Sequence, residues 1–225
     1  MTAFNPRSLE DFAERYPAAP VTLRHGLASH PLFAMDRLMA LTKALPPDRI
    51  EYNAGDLPIG QDPDKTPMNG LSAEETLARI AENKSWLALK NIERDPDYAA
   101  LLDACLDEIA PAAAKTAGAM HKREGFVFIS SPGAVTPFHM DPEHNILMQI
   151  RGSKTFRIFS PAPHIVSDEQ HEAFHRPGGH RNLPYRDEFD AAATAYKLFP
   201  GDALYAPVKA PHWVKAGPGV SVSLS

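Results

Sequence analysis

A His-x-Asp pair, His139 and Asp141, is the feature that most constrains this chain, and it lies in the β-prone stretch GAVTPFHMDPEHNILMQIRGSK. In a β-strand, residues two apart project from the same face, so both side chains point into one cavity. Such a pair holds a divalent transition metal firmly when a third donor completes a triangular face. The best candidate is His212, far downstream in PGDALYAPVKAPHWV. This ligand set suits Fe(II) with open positions for a cosubstrate and dioxygen, and it indicates an iron oxygenase.

Further positions around these ligands carry a family resemblance. The matching residues are Gly133 before His139, Asn145 and Lys154 after Asp141, and Pro200-Gly201-Asp202 leading through Pro207 to His212. Together they resemble the cupin-like JmjC family of Fe(II)/2-oxoglutarate-dependent oxygenases, and most of all its asparaginyl-hydroxylase-like branch. The likeness covers roughly residues 126–225, and the first half of the chain has no motif of comparable specificity.

The resemblance implies both a fold and a site. The fold would be mainly β with α: a double-stranded β-helix, that is a jelly-roll or cupin barrel with the iron in its mouth, preceded by a helical N-terminal region packed on it. The implied metal ligands are His139, Asp141 and His212, and the implied contacts to the cosubstrate 2-oxoglutarate are Thr136, Asn145 and Lys154. The implied reaction consumes dioxygen, forms succinate and CO2, and hydroxylates a substrate that the residues do not identify.

The last strand, GVSVSLS, departs from the family pattern. Relatives often supply another polar contact to the cosubstrate from this strand. Here the candidates for that contact are Ser223 and Ser225.

Lys154 gives an independent argument for an acidic ligand. Residues 146–151 and 154–159 are separated by Gly152-Ser153, which predicts a hairpin, and Lys154 would face inward with Phe156. An unpaired ammonium costs several kcal/mol to bury, so an inward Lys154 needs an anionic partner. The distal carboxylate of 2-oxoglutarate would be that partner, with a hydrogen bond from Thr136. The alternative is that Lys154 lies in solvent just beyond the turn.

Other polar residues near these motifs are weaker candidates. His144 is an odd number of positions from His139, so in a continuing strand it faces away from the metal. Between the ligand strands, residues 167–196 are expected to form a lid or substrate-recognition loop. His180 and Arg181 are the predicted substrate-binding residues of this loop, although no motif supports them. The spacing of the histidines in this loop, His171 included, matches no familiar zinc signature.

The N-terminal half predicts a helical collar. The predicted helices run from a capping box at Ser8 to Tyr16, over 31–45, from a capping box at Ser72 through Ile80, and from Asp95-Pro96 to Pro111, with 112–120 as a helical extension or linker. A strand is expected over 86–92. The segment 55–70 is rich in Gly, Pro and Asp and predicts a loop that borders the active site. Cys105 falls on an apolar helical stripe and predicts a packed thiol.

Length and composition limit the domain organisation of the chain and the partners that it can bind. We expect one domain over 1–225, with a helical collar at 1–120 and the barrel core at 121–225. The net charge of −5 and the pI near 6.0 give no reason to expect a nucleic-acid partner. One cysteine excludes an internal disulfide and fits a reducing cytoplasm. No stretch predicts a membrane span or a secretory signal. A homodimer is an expectation from the family alone.

Two alternative functions remain open at this point. The first is a non-catalytic cupin-like module that keeps a metal for structure or ligand sensing. The second is a cupin dioxygenase or isomerase that works without 2-oxoglutarate, in which Lys154 would be dispensable.

Overall fold

The computed structural model describes residues 2–225, and it contains two facing antiparallel β-sheets. The strands are β1 (Val21–Arg24), β2 (Ile50–Ala54), β3 (Ser85–Lys90), β4 (Phe126–Ser130), β5 (Val135–His139), β6 (Asn145–Arg151), β7 (Lys154–Ile158), β8 (Thr194–Leu198), β9 (Asp202–Ala206), β10 (His212–Ala216) and β11 (Ser221–Leu224). The larger sheet has the order β1-β9-β6-β11-β4-β3-β2, and the smaller has the order β5-β10-β7-β8. This arrangement confirms the predicted mainly-β jelly-roll fold with additional helices.

The barrel interior lies between the two sheets. Alternation along β7 buries Lys154, Phe156 and Ile158, whereas Thr155 and Arg157 are only half-buried. Side chains from both sheets form one apolar cluster in the interior, made of Leu147, Phe156, Ile158, Leu198, Leu204, Ala206, Ala210 and Val214. The structure confirms the expected alternation of β7 and places Lys154 on its inward face, a position that the period-2 pattern alone left open.

The predicted hairpin of β6 and β7 is wrong, because the two strands belong to different sheets. β6 pairs with β9 and β11, whereas β7 pairs with β10 and β8. Gly152, with φ of 69°, carries the chain from one sheet to the other, and a Cβ there would collide with the carbonyl of Val220. A glycine turn between two alternating runs cannot by itself distinguish a hairpin from a sheet-to-sheet crossing.

Helices cover the outer face of the larger sheet. They are α1 (Pro6–Arg15), α2 (Met35–Ala44), α3 (Ala73–Ala78) and α4 (Pro96–Ala117), and a further helix, α5 (Asp168–His175), follows β7. The outer core packs helix side chains such as Phe12, Leu38 and Ile109 against sheet side chains such as Leu87 and Val222. Cys105 lies in this core, 3% exposed, and burial raises the pKa of its thiol to about 12. It is the packed thiol that its helical position predicts.

The first helix begins earlier than its capping-box pattern predicts. Asn5 is the N-cap, and its side chain accepts a hydrogen bond from Arg7 N at 3.0 Å. Ser8 lies inside the first turn and donates to Asn5 O at 2.8 Å. Asn5 rather than Ser8 caps the helix, since asparagine is a good N-cap and Pro6 is well suited to the first helical position.

Three other helix predictions have different outcomes. The box at Ser72 is confirmed, because Ser72 and Glu75 exchange side-chain-to-backbone hydrogen bonds. The predicted helix over 31–45 is split at Ala34, whose ψ of 145° separates a short 3-10 turn from α2. α4 continues through Pro111, and packing of residues beyond it in the core offsets the hydrogen bond that proline cannot donate.

The N-terminal half is more than a helical collar. β1, β2 and β3 all precede residue 120, and they form both edges of the larger sheet. Val21 pairs with Tyr205 on one side, and Trp86 pairs with Ser130 on the other. Strands from both halves of the sequence therefore share one continuous sheet.

An insertion, defined here as residues 160–193, covers the outer face of the smaller sheet. Its side chains Ile165, Leu183 and Phe189 pack against Phe138 and Trp213. Trp213 thus lies in the wall of the barrel, between the smaller sheet and the insertion. Within residues 2–225, no helix is both long and apolar enough to cross a membrane.

Candidate metal centre

Three predicted ligands meet at the open end of the barrel. His139 is the last residue of β5, His212 is the first residue of β10, and the two are paired directly across the strands. Their ring centroids are 4.1 Å apart. Asp141 follows β5, with its carboxylate oxygens 3.9 Å from His139 Nε2 and 3.7 Å from His212 Nε2. One ligand atom from each residue lies within 4.8 Å of the others, a spacing that fits a single ion.

Both imidazole rings present the same nitrogen to this point. His139 Nδ1 lies 2.7 Å from Pro137 O, and His212 Nδ1 lies 2.9 Å from Ala210 O. A carbonyl oxygen only accepts, so each Nδ1 carries the proton and donates it. The Nε2 lone pairs are therefore free for a metal, and the rings are fixed in orientation, as is usual for histidine ligands.

The electrostatics of the cluster also favour a cation. Burial and the neighbouring His212 lower the pKa of His139 to about 4, so this ring is neutral at pH 7. Burial alone would raise the pKa of Asp141, but His139, His212 and Arg181 outweigh it and lower the pKa to about 2. At pH 7, His139 is therefore a neutral imidazole and Asp141 is an ionised carboxylate, so neither has to lose a proton to bind a metal.

Asp141 is held from two sides by residues outside the ligand set. Arg181 Nη1 donates to Asp141 Oδ1 at 2.6 Å, and Asn145 Nδ2 donates to Asp141 Oδ2 at 3.1 Å. Asn145 Oδ1 in turn accepts from Ser225 Oγ at 2.5 Å. Ser223 is engaged elsewhere, since its hydroxyl donates to Gln149 at 2.9 Å. Of the two serines considered for the last strand, Ser225 is the one connected to the centre.

Thr136 lies on the same face of β5 as His139. The register of β5 against β10 shifts between the pairs His212 with His139 and Val214 with Thr136. Between these two pairs, β5 has one residue more than β10. This β-bulge turns the Thr136 side chain to the face that points into the barrel. Cross-strand partners share a face, and Val214 is part of the interior cluster.

Lys154 enters the same interior from β7, which pairs with the other side of β10. It is 4% exposed, and its Nζ lies 5.6 Å from the centroid of the Phe128 ring. Among residues 2–225 it forms no ion pair with a carboxylate, and burial is the cause that lowers its pKa to about 7. The solvent-exposed alternative for Lys154 is thus excluded. A buried cation with only an aromatic ring beside it is suited to an acidic ligand.

The remaining candidates lie away from the ligands. His180 is exposed, and its Nδ1 accepts from Asn182 N at 3.1 Å. His144 contacts Tyr205 OH at 2.8 Å and Tyr16, so it faces the N-terminal helix and not the metal ligands. β5 ends at His139, so the spacing along a continuing strand is not the reason for this orientation. Across the described part of the chain, the histidines of residues 167–196 join no metal-type cluster.

Three further contacts near the site are not expected from the sequence. Glu143 accepts from Arg181 at 2.8 Å, and Asn182 Nδ2 donates to Gln61 O at 3.2 Å, which joins the insertion to the predicted border loop. Trp86 stacks on Phe128, and its Nε1 is buried without a hydrogen-bond partner in the described structure. Because these contacts join residues far apart in the chain, no local motif signals them.

The fold and the centre define the class as jelly-roll proteins with a two-histidine, one-carboxylate metal site. A family model described as "Cupin-like domain" matches residues 64–225, and the chain belongs to this family. The resemblance to cupin-like JmjC proteins is thereby confirmed.

Two curated relatives are similar in sequence. "Jumonji C domain-containing protein 5" of Drosophila melanogaster is 30% identical over 176 residues, which are 73% of this chain and 39% of the relative. "Lysine-specific demethylase 8" of Xenopus tropicalis is 26% identical over 159 residues, which are 65% of this chain and 32% of the relative. The chain therefore spans less than half the length of either relative.

Solved structures share the fold. The structure of YcfD from Escherichia coli has a TM-score of 0.65 at 19% identity, over 100% of this chain and 53% of YcfD. YcfD described as a ribosomal oxygenase, in complex with cobalt and 2-oxoglutarate, has a TM-score of 0.59 at 17% identity, over 96% of this chain and 50% of YcfD. At these identities the likeness establishes the jelly-roll fold.

Proposed function

We propose that this chain is an Fe(II)- and 2-oxoglutarate-dependent oxygenase that hydroxylates a C–H bond of its substrate. One observation carries the proposal. Three side chains suited to binding a metal, with Nε2 of both histidines free, lie in the same barrel as the buried cation Lys154, which has no carboxylate partner among the described residues. Support comes from YcfD, which has the same fold and was solved with cobalt and 2-oxoglutarate.

The donor set fits Fe(II). Two neutral imidazoles and one carboxylate on one side of an ion are the ligands of many non-haem Fe(II) oxygenases. In the proposal, His139, Asp141 and His212 hold the ion. When bound, the iron with 2-oxoglutarate and dioxygen supplies the oxidising chemistry, with succinate and CO2 as co-products.

The interior residues bind and orient the cosubstrate. Lys154 pairs with the distal carboxylate, and the Thr136 hydroxyl donates a second hydrogen bond to it. Asn145 has one amide hydrogen engaged with Asp141 and a second that remains for the cosubstrate. The apolar side chains around Phe156 and Val214 exclude water, which strengthens the ion pair at Lys154.

The substrate binds on the insertion side of the metal centre. The substrate reaches the centre at the barrel mouth, beside His180 and Arg181, and is a protein side chain or a small molecule. A net charge of −5 offers no attraction for nucleic acid. The buried, unpaired Cys105 fits a reducing compartment, so we place the protein in the cytoplasm.

The test is succinate formation from 2-oxoglutarate by Fe(II)-loaded protein in air. We expect turnover in the wild type, and loss of it in His139→Ala and Asp141→Ala. His175→Ala removes a histidine at the end of α5, outside the ligand cluster, and should retain turnover. Cobalt binding without any affinity for 2-oxoglutarate would instead favour the non-catalytic module and refute the proposal.

A further inference from the structure

The insertion reaches the metal ligands from outside the barrel. Its residues 181–183 pair with the free edge of β5, the strand that ends in His139. The contacts are the hydrogen bonds from Met140 N to Arg181 O at 3.2 Å and from Leu183 N to Phe138 O at 2.8 Å, and a bridge between His139 and Asn182. This short segment therefore acts as an additional strand beside the first metal ligand.

The Arg181 side chain extends this pairing to the second ligand. One nitrogen, Nη1, donates to Asp141 Oδ1 at 2.6 Å and to Glu143 Oε1 at 2.8 Å. The Asp141 side chain is 8% exposed, whereas those of Arg181 and Glu143 are 48% and 41% exposed. A single guanidinium thus joins a buried ligand to a carboxylate at the rim. Hydrogen bonds between charged partners are about twice as strong as neutral ones.

The insertion is packed in some parts and not in others, since Ile165 and Phe189 lie in the apolar cluster with Trp213. α5 buries none of its residues, so packing alone holds that helix weakly. The segment after it is attached by its backbone pairing with β5, by the buried side chain of Leu183, and by the side chains of Arg181 and Asn182, whose Nδ2 donates to Gln61 O at 3.2 Å. Arg181 is therefore the point where the insertion and the metal ligands share a side-chain contact.

We propose that Arg181 is a positioning residue through which the insertion sets the metal affinity of the centre. Arg181 holds the Asp141 carboxylate toward His139 and His212, and release of the insertion would let that carboxylate turn away. Coupling between two sites is reciprocal, so metal binding should stabilise the insertion to the same extent. The inference rests on the metal centre of the proposed function but needs no turnover.

The first measurement is Co(II) affinity by calorimetry, without 2-oxoglutarate. Arg181→Ala should weaken binding about tenfold to a hundredfold, the usual effect of removing a partner of a metal ligand. Arg181→Lys keeps a cation near both carboxylates, so its affinity should lie between those of the wild type and Arg181→Ala. The matched control is Arg186→Ala, in the same insertion, because Arg186 contacts His164 O and the Phe189 ring instead. Its Co(II) affinity should equal that of the wild type.

The second measurement is hydrogen exchange of residues 160–193 with and without Co(II). In the wild type and in Arg186→Ala, Co(II) should slow exchange in residues 176–186, and in Arg181→Ala this slowing should be lost. Thermal unfolding identifies any variant that fails to fold. If Arg181→Ala fails to fold, Arg181→Lys is compared with the wild type in its place. Equal Co(II) affinity in Arg181→Ala and Arg186→Ala would overturn the inference while leaving the oxygenase proposal intact. Absence of Co(II) binding in the wild type would overturn both.

Discussion

Thr136 and His139 lie on the same inward face of β5, although they are three positions apart in the sequence. A regular strand would place them on opposite faces, because its side chains alternate. The register shift against β10 supplies the extra residue that reverses this parity. The hydroxyl and the metal ligand are thus brought onto one face of the strand by a bulge.

Thr136→Val should weaken 2-oxoglutarate binding to the Co(II)-loaded protein with no change in Co(II) affinity. The substitution keeps the shape of the side chain but removes the donor, and a hydrogen bond to a charged group contributes about 1.5–3 kcal/mol, or roughly tenfold or more in affinity. Calorimetry measures both constants. Thr155→Val, on the opposite face of β7, is the control and should bind as the wild type does. A weaker Co(II) affinity in Thr136→Val would contradict the assignment.

Binding of 2-oxoglutarate should weaken as the pH rises above 7. Lys154 has a pKa of about 7 in the ligand-free protein, and a bound carboxylate would raise that pKa. Above pH 7 the free protein has lost the proton that the complex needs, so binding takes up a proton. The affinity should then fall by up to about tenfold per pH unit until the pKa of the complex is reached.

Calorimetry at pH 6.5, 7.5 and 8.5 tests this prediction about Lys154, with those three values chosen to span the pKa of about 7. Lys154→Arg stays charged over the whole range, so its affinity should lack this fall even if it binds less tightly overall. The same pH dependence in both proteins would show that Lys154 is not the responsible group.

Asn145→Ala should lower the affinity for Co(II) before any cosubstrate is added. In the structure its amide donates to Asp141 and accepts from Ser225, so it orients a metal ligand. Ser225→Ala should produce a smaller loss, because it leaves the Asn145 to Asp141 bond in place. Separate titrations of Co(II) and 2-oxoglutarate distinguish this role from cosubstrate binding alone, which would change only the second affinity.

The stability of the protein should fall as the pH drops from about 6.5 to about 4 because of His25. Burial lowers the pKa of His25 to about 4, and its ring contacts Gln149 O at 3.0 Å and Leu27 N at 3.1 Å. The unfolded chain therefore binds a proton near pH 6.5, before the folded protein does. The full contribution of His25 is present above pH 6.5 and is lost progressively down to pH 4, by about 3 kcal/mol at most.

Urea unfolding at pH 7.5 and at pH 4.5 measures the effect of His25, whose folded pKa of about 4 lies below both. His25→Asn removes the titrating group, so the difference in unfolding free energy between the two pH values should be smaller than in the wild type. Equal differences in the two proteins would assign the acid sensitivity to other groups.

Local patterns succeeded wherever one stretch of chain contained the whole signal. The capping box at Ser72 and the buried alternation of β7 each depend on neighbours within a few residues. The local pattern around Gly152 led to the wrong prediction of a hairpin, because the same pattern occurs in hairpins and in crossings between sheets. Local patterns also missed Glu143 and Trp86, whose partners come from distant elements.

The sequence by itself determined the ligand types and the alternation along β7, since side-chain chemistry and the period of a strand are local properties. The structure decided that Lys154 is buried, which the sequence left open. The tertiary structure decided that His212 lies opposite His139, that a bulge turns Thr136 inward, and that Arg181 reaches Asp141 across 40 positions of sequence. These relationships depend on strand register and on a returning insertion. Both are set by the packing of segments far apart in the chain, which no short stretch of sequence encodes.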